Sequence, residues 1–96
     1  MSKYNEFQKN EILVKYIFRI RSHYVVNGTL NDAPLHPLVM IVDDILADMD
    51  EDERFILRNE YINRMPRYWW QNYYSKSRYY RIKGKALKNF IRLSKW

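Results

Sequence analysis

The chain contains no cysteine, only two glycines and three prolines, and no acidic residue after position 60. Without cysteine there is no disulfide framework, no thiolate nucleophile and no cysteine-based zinc site. No stretch approaches the about 20 consecutive apolar residues that a membrane-spanning helix needs. His23 and His36 are isolated, and neither forms a nucleophile–base set with a serine at a usable spacing. We therefore expect no membrane segment, no metal, no cofactor and no enzyme activity.

The size and composition are those of one small folded domain. Ninety-six residues can bury one modest core, and an apolar fraction of 47% argues against disorder. The N-terminal residues lack a hydrophobic signal core and a small-residue cleavage site, so we expect a cytoplasmic protein.

The charged residues are strongly segregated along the chain. Residues 1–42 carry a net charge of +2, residues 43–60 carry −6, and residues 61–96 carry +10. Concentrating the positive charge in one contiguous third indicates a polyanionic partner, such as nucleic acid.

Apolar residues recur at helical spacing throughout, which predicts an all-α fold. A first helix should cover residues 3–26 and end at Gly28, and a second should run from Pro37 to Met49. Asp50 should cap a third helix whose first turn is acidic. A short fourth helix should cover residues 66–73. Residues 1–49 would then be the N-terminal helices of the single domain 1–96, and residues 50–96 its basic C-terminal region.

The last helix should begin near Ser75 or Ser77 and carry two stripes. Its apolar stripe consists of Tyr79, Ile82, Ala86, Phe90 and Leu93. Its cationic stripe consists of Arg78, Arg81, Lys85, Lys88 and Arg92, about 100° around the helix. A helix that packs on one side and presents cations on another is suited to binding a phosphate backbone.

This arrangement is typical of a helix-turn-helix, in which a supporting helix precedes a recognition helix that enters the major groove. Residues 67–73 would form the supporting helix. We expect double-stranded DNA as the partner, with Lys76, Ser77, Arg78, Tyr80 and Arg81 nearest the bases and Lys83, Lys85 and Lys88 on phosphates. Lys83 lies near the edge of the apolar stripe and would have to extend outward.

Two patterns in this region resemble known regulators. Ser75, Ser77, Arg81, Ile82, Ala86 and Leu87 resemble the end of the region-four helix-turn-helix of bacterial sigma factors. The longer run from Trp69 to Lys83 is similar to small sigma-like regulators of the ArpU/RinA type from phages of Gram-positive bacteria, and to related mollicute proteins. The resemblance covers residues 50–94. It implies transcription regulation alongside RNA polymerase.

Several alternatives remain open on the sequence alone. The basic helix could dock on an acidic partner protein, or the six aromatic residues between positions 68 and 79 could stack on RNA or single-stranded bases rather than form core. The acidic block at 43–53 could cap and solvate helices, contact the basic region in cis, or repel DNA. The first helix could close the core or support a homodimer, and Gly84 could mark a close approach or a helix break.

Overall fold

The computed structural model describes residues 3–31 and 36–94, and within these ranges the chain is all-α with no strand. Helix α1 covers Glu6–Asn31, α2 Pro37–Ala47, α3 Glu51–Leu57 and α4 Lys76–Leu93. A π-helical turn, Arg58–Ile62, continues α3, and a 3₁₀ turn, Trp69–Asn72, lies in the connection to α4. The predicted all-α class is confirmed.

Helix α1 is longer than predicted, because it continues through Gly28 to Asn31. The expected stop at Gly28 is wrong. A single glycine costs a helix interior about 1 kcal/mol but removes no hydrogen-bond donor, so it weakens a helix without ending it. The predicted role of Pro34 in the following connection lies outside the described residues.

Helix α2 begins at Pro37 as predicted, where the missing N–H of proline costs no helical hydrogen bond. The imidazole Nδ1 of His36 accepts the N–H of Leu38 at 3.1 Å. At the other end the guanidinium of Arg54 donates to the carbonyls of Leu46 and Ala47. The last carbonyls of a helix lack partners in a following turn, and although that of Leu46 also accepts the N–H of Met49 at 3.1 Å, Arg54 adds a bond to both. Arg54 thereby stabilises the end of α2, two residues before the predicted one.

The main core lies where α1, α2, the π-helical turn and α4 meet. Phe18 of α1 is at its centre and packs on Tyr61 and Phe90, with ring centroids 5.5 and 5.2 Å away. The buried members of this cluster are Val14, Ile17, Phe18, Val42, Ile45, Leu46, Met49, Leu57, Tyr61, Ala86, Leu87 and Phe90. The helices that the sequence spaces far apart therefore share one interior.

A second, aromatic cluster joins the connection to α3 and α4. It consists of Ile56, Trp69, Trp70 and Tyr79, and the rings of Trp70 and Tyr79 stack at 4.6 Å. The interpretation of these aromatics as core is confirmed for Trp69, Trp70 and Tyr79. It is wrong for Tyr68 and Tyr73, which are exposed.

The predicted supporting helix over residues 67–73 does not form. Tyr68 adopts a left-handed backbone conformation with φ of 66°, and only the four residues Trp69–Asn72 are helical, as a 3₁₀ turn. A helix-turn-helix has a turn of three or four residues, whereas residues 63–75 separate the π-helical turn from α4. The predicted helix-turn-helix is therefore not confirmed.

Candidate nucleic-acid interface

Helix α4 begins where the serine-rich sequence predicts. The Ser75 hydroxyl accepts the backbone N–H of Arg78 at 3.3 Å, while Ser75 itself is extended, with φ of −69° and ψ of 160°. A serine in this position satisfies one of the free N–H groups at the helix start. The cap fixes the rotation of the basic side chains that follow it.

Five of the seven cations of α4 lie on one side of the helix, which we call the basic face. It consists of Arg78, Arg81, Lys85, Lys88 and Arg92, all exposed. At 3.6 residues per turn and 1.5 Å per residue, these five positions occupy an arc of about 80° and extend over about 21 Å. The buried residues Tyr79, Ala86 and Phe90 lie on the other side of the helix. The predicted separation of the two stripes is thus present for Tyr79, Ala86 and Phe90, whereas Ile82 is half-buried and the prediction that Leu93 faces the core is wrong, since Leu93 is exposed.

Two carboxylates flank the basic face. The ammonium of Lys88 lies 3.5 Å from Glu6 of α1, and the guanidinium of Arg78 lies 3.9 Å from Asp52 of α3. Asp52 also accepts the hydroxyl of Tyr74 at 2.8 Å, and partial burial together with this bond raises the pKa of Tyr74 to about 12. Exposed ion pairs of this kind contribute little energy, and two carboxylates against five cations leave the basic face with a net positive charge. Part of the acidic block does contact the basic region in cis.

Lys83 does not point toward solvent, and its predicted phosphate contact is wrong. Its side chain is 8% exposed, and its ammonium lies 2.6 Å from Glu11 and 4.0 Å from Glu60. It also lies over the rings of Phe7, Tyr61 and Tyr79, at 5.7–5.9 Å from their centroids. The buried side of α4 is centred on Tyr79, Lys83 and Phe90, because α1 and the π-helical turn cover this side. Lys83 is therefore neutralised inside the fold.

Around Lys83 lies a buried polar cluster that the sequence did not reveal. Glu60 accepts the indole N–H of Trp69 at 2.9 Å and the hydroxyl of Tyr79, and Glu11 accepts the hydroxyl of Tyr61 at 3.0 Å. Burial and then the neighbouring carboxylates raise the pKa of Tyr61 and of Tyr79 far above their ordinary values. Both phenols stay protonated and donate. The cluster therefore joins four segments of the chain.

A charge pattern in the sequence could have suggested part of this cluster. Glu60 is the last acidic residue before the basic third of the chain, and an isolated carboxylate beside aromatics is a candidate for a buried acceptor. The pairing of Lys83 with Glu11, 72 positions apart, has no local signal. It arises only when α1 packs on α4.

Two of the predicted DNA-contacting residues lie away from the basic face. Lys76 and Tyr80 are both exposed, but their positions are about 160° and about 120° around α4 from the centre of that face. Instead they line a cleft of about 800 Å³ together with Arg67, Tyr68 and Trp70 of the connection. The structure brings together Arg78, Arg81, Lys85 and Lys88, with Ser77 at the edge of the face, and separates Lys76 and Tyr80 from them.

Gly84 lies inside α4, which continues through it without a break. The ring of Phe7 from α1 lies 3.4 Å from the place where a Cβ of residue 84 would be. The close approach considered for Gly84 was to a phosphate or a partner and stays a prediction; the neighbour within the chain is Phe7 of α1, at a distance that an added Cβ could keep. The alternative of a helix break is wrong.

The described part of the chain contains no cluster of three side chains that could hold a metal ion. None of the helices within it is long and apolar enough to cross a bilayer.

Comparison with known proteins gives no further guidance. The chain matches no protein-family model, no curated protein and no solved structure. The resemblance to sigma-like regulators remains a prediction based on the motif residues alone.

Proposed function

We propose that this protein binds double-stranded DNA through the basic face of α4 and regulates transcription. The observation that carries the proposal is the combination of five exposed cations on one arc of a helix whose opposite side is anchored in the core. An anchored helix holds its side chains in fixed positions, so the cations need little further ordering when they bind phosphates.

The dimensions of α4 suit the major groove of DNA. The groove is about 12 Å wide and admits an α-helix, and a row of cations about 21 Å long is sufficient to contact both groove edges. Arg78 and Arg81 lie in the first two turns, where a guanidinium can bond two acceptors of a guanine. Lys85 and Lys88 lie further along and would contact phosphates, which strengthens binding without reading sequence. Ser77 would lie at the edge of the contact.

The carboxylates beside the basic face would restrict how DNA docks. Glu6 and Asp52 lie near opposite ends of the five-cation row, next to Lys88 and Arg78. A phosphate backbone that approached over either acid would be repelled, so the duplex is expected to lie along the basic face between them.

The regulatory role, and work alongside RNA polymerase, follow only from the motif resemblance. The competing function is a protein adaptor that docks the same basic face on an acidic surface. The two functions differ in one readily measured property, since an adaptor has no need to bind duplex DNA of random sequence.

Binding should first be measured with labelled random-sequence duplexes at several salt concentrations. We expect the logarithm of the affinity to fall linearly with the logarithm of salt concentration, by about 0.9 per phosphate contact. The double variant Lys85→Gln/Lys88→Gln should lower this slope by about 1.8. Arg58→Gln, which removes an exposed cation of the π-helical turn, is the matched control and should leave the slope unchanged.

Recognition of specific bases should then be tested with duplexes that the protein has selected from a random pool. Arg78→Ala and Arg81→Ala should weaken binding to the selected sequence more than to random sequence, by about 1–3 kcal/mol for each arginine–guanine pair that the substitution removes. Equal losses on both duplexes would show that α4 reads no bases. Absence of duplex binding by the unaltered protein would favour the adaptor.

A further inference from the structure

A second basic surface lies apart from the basic face of α4. The cleft of about 800 Å³ beside the start of α4 shares the lining residue Glu60 with a smaller one of about 240 Å³ between α1 and the π-helical turn. We call the two together the basic groove. Its exposed cations are Lys15, Arg19, Arg64, Arg67 and Lys76. The buried Lys83 also lines the larger cleft, but it is already paired with Glu11 and Glu60. The five exposed cations are the ones free to bind a ligand. They come from α1, the connection and α4, so only the folded chain assembles them.

The charge of the basic groove is strongly positive. All five cations are exposed, and none forms a salt bridge with a residue in the described ranges 3–31 and 36–94. Glu60 is the one carboxylate among the described residues that line the two clefts. Its oxygens are already engaged by Trp69, Tyr79 and Lys83. The groove therefore attracts an anion that the protein itself does not supply.

Exposed aromatic rings line the same groove. Tyr68 is 51% exposed and Tyr80 is 44% exposed, although both lie beside a buried tryptophan. The rings of both tyrosines meet Trp70 edge to face, with centroids 6.2 and 6.0 Å away. The guanidinium of Arg67 lies 5.1 Å above the ring of Tyr68. The exposed tyrosine rings thus alternate with cations along the groove. This arrangement suits a ligand whose bases stack on rings and whose phosphates bind cations.

The backbone of the connection is held in a costly conformation at two of these residues. Arg64 and Tyr68 both have positive φ, 47° and 66°. A residue with a large side chain is strained in this region, and such strain is concentrated at functional sites. A glycine or asparagine would avoid the cost. The chain instead keeps a cation and an aromatic ring at these two positions.

We infer that the basic groove binds a single-stranded polynucleotide, with Tyr68 and Tyr80 stacking on bases and the five cations holding phosphates. Duplex DNA does not fit this site, because paired bases present no free ring faces to the tyrosines. Lys76 and Tyr80 also lie about 160° and about 120° around α4 from the centre of the basic face, so a straight duplex on that face cannot reach the groove. An unpaired base fits a cleft of about 800 Å³. The inference does not depend on the proposed duplex binding.

The test is binding of fluorescein-labelled oligo-dT and oligo-U 12-mers to the full chain, measured by anisotropy. Tyr68→Asn removes the ring but keeps a residue that tolerates positive φ, and it should weaken binding about tenfold. Arg64→Gln/Arg67→Gln should lower the salt slope by about 1.4, since each single-strand phosphate contributes about 0.7. Arg58→Gln is again the matched control and should change the affinity less than twofold.

The outcomes separate this site from the basic face. Retained duplex binding in the groove variants, together with loss of oligonucleotide binding, supports two distinct sites. A greater loss of oligonucleotide binding in Lys85→Gln/Lys88→Gln than in the groove variants would place the strand on α4 and overturn the inference. An unchanged affinity of Tyr68→Asn, in a variant whose thermal unfolding shows that it is folded, would also overturn the inference. Failure of the unaltered protein to bind either 12-mer would do the same. Tighter binding of oligo-U than of oligo-dT would identify RNA as the ligand, and the reverse would identify DNA.

Discussion

Replacing Lys83 with methionine tests the central feature of the fold, a cation enclosed between two carboxylates. Methionine is unbranched, has a similar helix propensity and fills a similar volume, so the change mainly removes the charge. It would leave Glu11 beside an apolar side chain, with only Tyr61 still donating to it. Glu60 would keep its bonds from Trp69 and Tyr79. The variant therefore removes both ion pairs of Lys83, of which the pair with Glu11 at 2.6 Å is much closer than the pair with Glu60 at 4.0 Å.

The expected loss of stability follows from the burial of the two partners. Removing one member of a fully buried ion pair costs about 3–5 kcal/mol, because the remaining charge is left without compensation. The side chain of Lys83 is 8% exposed, but that of Glu11 is 33% exposed, so water can partly solvate the carboxylate. We therefore expect a loss of about 2–3 kcal/mol. For a domain of this size this corresponds to a fall in Tm of about 10–20 °C.

The assay is urea unfolding at neutral pH, followed by circular dichroism, in a double-mutant cycle. Glu11→Gln keeps an oxygen for the hydroxyl of Tyr61 but has no charge. In Glu11→Gln/Lys83→Met no buried charge is left without a partner, and this double variant should recover at least half of the loss.

The pH dependence gives a second, independent check. Burial by itself would raise the pKa of Glu11, but the hydrogen bond and charge of Lys83 outweigh it and lower the pKa below its ordinary 4.5. A lowered pKa in the folded state stabilises the protein above the unfolded value, and this contribution is lost as pH falls through the folded value. The gap in stability between the unaltered protein and Lys83→Met should therefore be widest near neutral pH and narrow below about pH 4.5.

A different pattern would refute this reasoning. If Lys83→Met unfolds at the same urea concentration as the unaltered protein but binds duplex DNA less tightly, Lys83 contacts phosphate as its position in the sequence suggests. A stability gap that does not change between neutral pH and about pH 3 would show that Glu11 is not its partner.

Two other substitutions test the packing and the electrostatics of α4. Gly84→Ala should raise the free energy of unfolding by up to about 1 kcal/mol, because the helix gains propensity and Phe7, 3.4 Å from the new Cβ, stays at van der Waals distance. A loss of stability in urea unfolding would mean that the ring of Phe7 cannot move to make room for the new methyl group. Asp52→Asn removes the carboxylate 3.9 Å from Arg78 and should strengthen duplex binding about two- to threefold at low salt. The same gain at about 0.5 M salt would exclude an electrostatic cause.

Local signals in the sequence were sufficient for the starts of α2, α3 and α4, whereas α1 begins at Glu6, three residues after its predicted start. Pro37 is the first residue of α2, and Asp50 and Ser75 immediately precede α3 and α4, because these residue types suit a helix start for reasons that involve only neighbouring residues. Ser75 forms the expected capping hydrogen bond, whereas the side chain of Asp50 forms none although its position is as predicted. The ends were harder to predict. Arg54, which holds the last carbonyls of α2, belongs to the next helix.

The connection between α3 and α4 shows why local signals can also mislead. Residues 66–73 have proline at the start and aromatics at helical spacing, which predicts a helix. The folded chain instead places Trp69 and Trp70 in the interior by way of a left-handed Tyr68 and a 3₁₀ turn. Burying two indoles against Tyr79 and bonding Trp69 to Glu60 outweighs the local preference.

The sequence by itself determined the all-α class, the capped start of α4 and the row of cations along it, because composition, capping and helical periodicity act within a few residues. Tertiary structure alone decided that Lys83 turns inward to Glu11, and that Lys15 and Arg19 of α1 lie beside Arg64 in one groove. These groups are separated by up to 72 positions, and no local rule relates them. These groups become neighbours because of the way α1 packs on α4, and that packing depends on the whole core.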